Sequence, residues 1–504
     1  MADRFTCEPL PIPVEDAGVV ECDSTVAGST FIYLDPAHTG TEDGSRMRPF
    51  KTFAAATTAA NARGARGIII GGQVTFTEPL VISNGVSLYG GFGVSPFFVP
   101  DASKRPLWNI AALSADTTDN RLVGATARNV TVKTLVRHVE IRTANTTDND
   151  GRNGRHNIGL FAHNAPGLEL DDVIIVTGNA APGVVGAAGA SGGNGGAATG
   201  RTPGSVSCNG TAITCALPAT PANQTSAQCG LGGNSNIYIA ARPSGTAGNA
   251  GRASGGVNGG SLGTTVFDNS DCNLDENGVT AGGDGANGLS GQTGADGARG
   301  TRLQVMADGR ITGGFGTVGV DGQPGTFAGG GGTGGSFENG CMNDPEWGYP
   351  GGGGGAPGCG GTRGTPGGPG GSSIGILAAS STGLVIHPSV RVTTGNGGAG
   401  GLGGNGGGGG MGGAGETSMT FRCASRAAHR GKCGGRGGTG GAGGRGGHAG
   451  GSAGGDSIGV YCVGSGSVSL SGATINTGSP GAGGNATTTG LRGTAGVAAN
   501  DEGC

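Results

Sequence analysis

Residues 397–416 read GGAGGLGGNGGGGGMGGAGE. Taken in threes, this is Gly-Gly-X without error: GGA, GGL, GGN, GGG, GGM, GGA, then GE. A period of three matches neither a helix (about 3.6) nor a strand (about 2). It is the period of a polyproline-II-type helix, which makes no hydrogen bonds within itself. Its N–H and C=O groups point outward, and if buried they must pair with neighbouring segments. Glycine at every third position lets two such helices touch backbone to backbone. A second glycine in each triplet opens a second contact face.

The same phase recurs along the chain. Gly183, Gly186, Gly189, Gly192 and Gly195 are in register, as are the glycines of 282–300, 313–325, 358–370 and 434–448. A flexible linker has no reason to hold register in so many places. A collagen triple helix needs one unbroken tract and much more proline. The tracts are therefore expected to bundle within the chain, parallel or antiparallel. Seven triplets span roughly 65 Å, with the third positions Leu402, Asn405, Met411, Arg436, Thr439, Arg445 and His448 facing outward. In repeat type this resembles the polyglycine-II bundles of some antifreeze proteins and phage tail-tip adhesins.

Between the tracts, one pattern is written three times. It begins at Asn157 (NIGLFAHNAPGLELDDVIIVTGN), at Ser373 (SIGILAASSTGLVIHPSVRVTTGN) and at Ser457 (SIGVYCVGSGSVSLSGATINTGS). Each reads Ile-Gly-apolar, a turn, an alternating strand, a second apolar cluster and Thr-Gly. Such a unit of roughly twenty residues with three strand pieces cannot bury its apolar face alone, so neighbouring copies must stack. Arg128–Arg142 and Asn236–Ala241 are partial copies.

Composition agrees with a backbone-dominated molecule. Of 504 residues 120 are glycine, aromatics are 4% and charged residues 13%, which leaves little for a large ordinary core. The net charge of −4 gives no electrostatic case for nucleic acid or an anionic membrane. No run approaches the ~18 apolar residues of a membrane-spanning helix. Residues 1–10 lack the apolar stretch of a signal peptide, so an exported protein would have lost its leader.

The twelve cysteines are Cys7, Cys22, Cys208, Cys215, Cys229, Cys272, Cys341, Cys359, Cys423, Cys433, Cys462 and Cys504. None forms a CxxC pair. Scattered and even in number, they point to disulfides and an oxidising compartment. Local pairs are expected for Cys7–Cys22, Cys208–Cys215, Cys341–Cys359 and Cys423–Cys433, with Cys504 as a tether for the C-terminal end.

Near the start, strand FIYLD (31–35) precedes DPAHTGTEDGSRMRPFKTFAAATTAA, an alanine-rich helix ended by Gly64 or Gly67, and then GIIIGGQVTFTEPLVISNGVSLYGGFG. This order resembles the start of bacterial right-handed parallel β-helix proteins of the pectin-lyase-like superfamily, over residues 31–95. There, a Pro-Phe-x-Thr segment opens a capping helix, and the phrase similar to GVSLYGGF belongs to the first coils. The resemblance implies an all-β solenoid with an N-terminal cap. It leaves activity open, because the superfamily holds lyases, hydrolases and non-catalytic adhesins. The expected organisation is a disulfide-tied leading segment (1–30), cap and first coils (31–125), and coils interleaved with glycine triplets (126–504).

The superfamily's lyases cluster aspartates for calcium and use a basic residue as general base. Asp171-Asp172 is the nearest pair here. Its counterparts in the other copies are His387-Pro388 and Ser471-Gly472, and no Arg or Lys pattern accompanies it, so it reads as a polar turn. The densest oxygen cluster is Asp268, Asp271, Asn273, Asp275 and Asn277, alternating as calcium loops do. The glycine expected after the third ligand is replaced by Glu276. The following GGDGANGLS (282–290) resembles one calcium-binding nonapeptide with Asn287 in place of aspartate. The plainer reading is a solvated loop. Loop 421–433 (FRCASRAAHRGKC) is a cysteine-closed turn whose Arg422, Arg426, Arg430 and Lys432 would suit an acidic glycan. No phosphate-binding GxxxxGK[ST] occurs.

The sequence thus favours an extracellular or cell-surface structural or adhesive β-solenoid, a candidate for filament formation, with calcium as the one candidate cofactor. Its partners would be other copies or surface glycans. A polysaccharide lyase or hydrolase on the same fold and an ice- or surface-binding protein are the alternatives.

Overall fold

The computed structural model describes residues 31–111, 120–198, 259–264, 266–268, 280–332, 334, 337–339, 352–416, 434–464, 468–470, 472–486 and 491–504. Among these the chain is all-β but for one helix, and nearly all strand pairs are parallel.

Strand β1 (Phe31–Leu34) leads to helix α1 (Phe53–Arg63). The helix starts where Thr52 Oγ1 accepts from the Ala55 N–H at 3.2 Å, and it stops at Gly64, whose φ of 63° suits a residue without Cβ. Its Phe53, Ala56 and Ala60 are buried.

Strands then come in threes: β2 (Gly67–Gly71), β3 (Thr75–Phe76) and β4 (Leu80–Ile82), followed by β5 (Ser87–Phe92), β6 (Leu107–Ile110) and β7 (Arg121–Arg128). Next are β8 (Thr134–Arg137), β9 (Glu140–Thr143) and β10 (His156–His163), then β11 (Leu168–Asp171) and β12 (Ile174–Val176). Outside this rotation lie β13 (Val266–Asp268), β14 (Leu303–Val305), β15 (Ile311–Gly313) and β16 (Phe337–Asn339). The rotation resumes with β17 (Ser373–Ala379), β18 (Val385–Ile386), β19 (Arg391–Thr393), β20 (Ser457–Val463), β21 (Thr474–Asn476) and β22 (Ala498–Glu502).

Three sheets take strands from successive rounds: β1-β2-β5-β8-β11-β18, β3-β6-β9-β12-β19-β21 and β4-β7-β10-β17-β20-β22. The copied segments stack in register, with Ile158 opposite Ile374 and Ile374 opposite Ile458. One core receives side chains from all three sheets: Val136 and Leu170 from the first, Trp108 and Ile175 from the second, Leu160 and Ile376 from the third. Trp108 stacks on Phe76 (centroids 4.6 Å apart) and meets Phe53 of α1 edge-on, so the helix covers the first rounds.

The glycine of the copied Ile-Gly is a packing requirement. A Cβ on Gly159 would lie 2.3 Å from Ile175 Cγ2, and one on Gly375 2.2 Å from Val392 Cγ1. The corners are polar. The Asn145, Asn179 and Asn396 Oδ1 atoms accept the N–H of Asn179, Asn396 and Ser479 in turn, each at 2.8 Å.

Among the described residues the glycine runs form eight named extended tracts, of which 1, 5 and 7 leave these corners: tract 1 (181–198), tract 2 (280–300), tract 3 (314–332), tract 4 (352–371), tract 5 (395–416), tract 6 (434–456), tract 7 (478–486) and tract 8 (491–497). They bond to one another with a period of three. Gly183, Gly186, Gly189, Gly192 and Gly195 N–H reach the carbonyls of Ala399, Leu402, Asn405, Gly408 and Met411 at 2.7–2.9 Å. Tracts 1 and 5 are thus parallel, while tract 4 is antiparallel to both (Cys359 N–H to Gly193 O, Gly410 N–H to Cys359 O).

Tract 6 is the hub. It donates to tract 5 (Gly440 to Gly413) and tract 3 (Gly441 to Thr326), and accepts from tract 4 (Gly358 to Gly441) and tract 2 (Gly291 to Ala442). Near its end it also bonds tract 8 (Gly454 to Thr494) and tract 7 (Gly481 to Gly455). Neighbouring tracts bond around it in turn, closing a ring of six: 5 to 4, 4 to 3, 3 to 2, 2 to 8, 8 to 7 and 7 to 5. The two glycines of each triplet sit where a Cβ has no room: one on Gly440 would lie 2.0 Å from Ala356 O, and one on Gly441 1.9 Å from Leu289 O.

Third positions Leu402, Asn405, Met411, Arg436 and Thr439 are exposed, as their spacing requires. His448 departs from that expectation. It is 7% exposed, and its Nδ1 accepts the Gly406 N–H of tract 5 at 3.1 Å. Beyond it the third position becomes Gly451 and Gly454, whose added Cβ would meet tract 7 at 2.0 and 2.1 Å.

Candidate functional site

Two places gather chemistry-bearing side chains. The first is the corner after β11. Asp172 has a φ of 48°, a left-handed turn that Asp tolerates, and His138 directly below it has 54°. Asp172 Oδ1 accepts from Arg105 Nη2 at 2.8 Å, and Oδ2 faces His138 Nδ1 at 2.5 Å. His138 Nε2 lies 3.0 Å from the Ala102 carbonyl. Asp171 accepts from the Ser389 hydroxyl at 2.6 Å and pairs with Arg137 at 3.2 Å. Burial alone would raise the Asp172 carboxyl. The hydrogen bonds and charges of Arg105 and His138 outweigh it and hold the group below the usual carboxylate range.

The pair does have basic neighbours that its local sequence does not show. The bases come from earlier rounds, 34 and 67 residues upstream, and only stacking brings them in. The carboxylate oxygens are engaged by these partners, an arrangement that braces the corner.

The second place is a cavity of about 230 Å³ where the sheets meet the glycine tracts. Its buried floor is Asn120 and His156, from the starts of β7 and β10, with Leu303 of β14 and Pro369 of tract 4. Its rim is Asp150, Arg310, Thr312 and Gly313, all exposed, and Phe315 forms one wall under the Arg152 guanidinium at 4.6 Å. Hairpin β14–β15, the antiparallel pair, turns at Gly309 and lays Val305 and Ile311 on the outer apolar cluster of Ile158, Phe161 and Leu377. That packing holds the rim in place.

His156 Nδ1 accepts the Ser372 N–H at 2.9 Å, which puts the ring proton on Nε2. Burial, assisted by the nearby Arg121 charge, depresses its pKa to about 4, so the ring is neutral at pH 7. In the same wall the side-chain oxygens of Asn120 and Asn153 have no hydrogen-bond partner.

Of the oxygen-rich run, Asp268 lies in β13 opposite Asn339 of β16, and Asp271, Asn273, Asp275 and Asn277 fall outside the described residues. Asp284 and Asn287 of the calcium-like nonapeptide turn their Oδ1 atoms to the N–H groups of Arg436 and Thr439, at 2.6 and 2.9 Å. Among the described residues no trio of His, Cys, Asp or Glu is placed to hold a metal ion.

Arg422, Arg426, Arg430 and Lys432 lie outside the described residues, as do Cys7, Cys22, Cys208, Cys215, Cys229, Cys272, Cys341, Cys423 and Cys433. Cys359 is disulfide-bonded. Cys462 and Cys504 form a disulfide across 42 residues, which makes Cys504 the expected C-terminal tether. The described residues include no helix long and apolar enough to cross a membrane.

The cavity was not legible in the sequence. Its one local signal is the turn-rich run Asn149-Asp150-Gly151-Arg152-Asn153-Gly154 before β10. No known protein family, no curated protein and no solved structure matches the chain.

Proposed function

We propose that this chain is an extracellular structural and adhesive protein, built as a right-handed parallel β-helix whose insertions form a polyglycine-II bundle. The observation that carries the reading is the hub-and-ring arrangement of tracts 2–8. There, glycines at two of every three positions of tracts 5 and 6 are spent on backbone contacts, and the third positions Leu402, Asn405, Met411, Arg436 and Thr439 display side chains outward. A protein that commits so much chain to a rigid display surface is suited to contact rather than turnover. The rotation of strands through three sheets and the common core support the β-helix, and α1 supports an N-terminal cap. The Cys462–Cys504 disulfide fits an oxidising compartment. Calcium, if bound, would belong to the run from Asp268 to Asn277.

Electron micrographs of the purified protein with and without reductant, alongside retention on glycan-coated surfaces, test the proposal. Filaments or specific retention are expected. Monodisperse particles that no glycan surface retains would overturn it.

A further inference from the structure

We propose that the cavity between β7, β10, hairpin β14–β15 and tract 4 binds a single neutral sugar residue. The proposal gives the adhesive reading above its ligand class and rests on that reading for its biological role.

Size is the first argument. At about 230 Å³ the cavity far exceeds one water's share of liquid volume, about 30 Å³, yet falls short of the ~300–1,000 Å³ of drug-sized pockets. One pyranose-sized group is the scale that suits it.

Chemistry is the second. Leaving a buried amide oxygen unpaired costs about 1–3 kcal/mol, and Asn120 and Asn153, each with such an oxygen, both line the cavity. An occupant rich in hydrogen-bond donors answers both. The Asp150 carboxylate at the rim is a third acceptor; it already takes the N–H groups of Arg152 and Asn153 at 2.9 and 2.6 Å, so it is positioned rather than free to swing. Donor-bearing residues line the same space: the neutral His156, Thr312 and Arg310, the last with its Nε on Asp308 at 3.0 Å. Phe315, Leu303, Ile311 and Pro369 supply apolar wall between them.

Mixed donors and acceptors interleaved with an aromatic face match a polyhydroxylated ring, whose hydroxyls each donate and accept and whose C–H faces are apolar. An anion is disfavoured by Asp150 and the two amide oxygens. A bare cation is disfavoured by Arg310 and the His156 donor.

The test is saturation-transfer NMR of the full chain against methyl α-mannopyranoside, methyl β-galactopyranoside and N-acetylglucosamine, with glycerol as the small-polyol control. At least one pyranoside should bind above glycerol. Asn153→Ala and Phe315→Ala should each weaken it tenfold or more, with unchanged circular dichroism. Should either variant fail to fold, Thr312→Val on the exposed rim should weaken binding at least threefold. Absence of binding by all three sugars, or binding that these variants leave unchanged, overturns the proposal. Surface retention measured on the same proteins separates the two readings. Retention that persists in variants from a protein that binds no sugar removes the pocket and keeps the adhesive role. Sugar binding without retention or filaments keeps the pocket and removes that role.

Discussion

A Cβ placed on Gly412 would stand 1.8 Å from the carbonyl oxygen of Gly440. Tracts 5 and 6 are thus close enough to exclude even a methyl group there. Four residues earlier, a Cβ on Gly408 would meet only Ser191 Oγ, at 3.8 Å. The two glycines should therefore respond in opposite directions to the same change. Gly412→Ala forces backbone apart and should cost about 1–3 kcal/mol or more. Gly408→Ala restricts the unfolded chain without a clash and should gain about 0.4–1 kcal/mol. Thermal midpoints of the two variants against the parent protein check this, and equal shifts would contradict the packing.

The C-terminal strand should be held by charge as well as by sulfur. Arg302 forms a fork to Glu502 (2.7 and 2.6 Å) and also reaches Asp456, which is 3% exposed, at 3.0 Å. Arg302→Met leaves the Asp456 carboxylate buried beside an apolar chain. For a fully buried pair the loss would be about 3–5 kcal/mol. Arg302 keeps about a third of its side chain in solvent, so about 2 kcal/mol is expected. Cys504→Ser opens the 42-residue loop, with a chain-entropy cost of about 4 kcal/mol. Hydrogen exchange of β22 reads both, and it should rise more in the double variant than in either single one.

His156 sets a pH dependence whose sign is fixed. Its folded-state pKa is depressed from 6.5 to about 4, so the unfolded chain binds the proton first as pH falls. Stability should be level above about pH 6.5, decline as pH drops toward 4, and become level again with respect to this group below that. The shift corresponds to about 3 kcal/mol in all. His156→Gln should flatten the difference over that window when denaturation midpoints are compared at pH 7, 5.5 and 4.5. An unchanged slope in the variant would assign the effect elsewhere.

The asparagine column is a smaller but cleaner case. Asn179 sits between Asn145 and Asn396, accepting from one N–H and donating its own to the other side chain. Asn179→Ala removes the acceptor for the Asn396 N–H and should cost about 1 kcal/mol. Asn179→Asp keeps the acceptor and should lose less, as urea midpoints would show.

The stacking of the copied segments was readable because its signal is local. Ile158, Ile374 and Ile458 announce themselves by spacing, and the structure places them side by side. Helix α1 was legible for the same reason, with its stop narrowed to Gly64 or Gly67, of which the structure uses Gly64. The phase of the glycine tracts was also legible, whereas their neighbours were not. Nothing in GGRGGTGGAGG says that it lies between Gly413 on one side and Thr326 on another, since every triplet offers the same two faces. Hairpin β14–β15 was hidden between two triplet runs that read as glycine tract, and it brings Phe315 to the cavity. Arg105 beside Asp172 escaped because the partners lie in different rounds and meet only once the rounds are stacked.

The ring of tracts around 434–456 also has a mechanical consequence. Its hydrogen bonds run across the tract axis in several directions, toward tracts 2, 3, 4 and 5 at once. A pull along that axis would load them in shear and together, not one after another as in an unzipping hairpin. Stretched between two anchored ends, the bundle should resist to a high force and then give way in a single event. Peeling it sideways, tract by tract, should require far less.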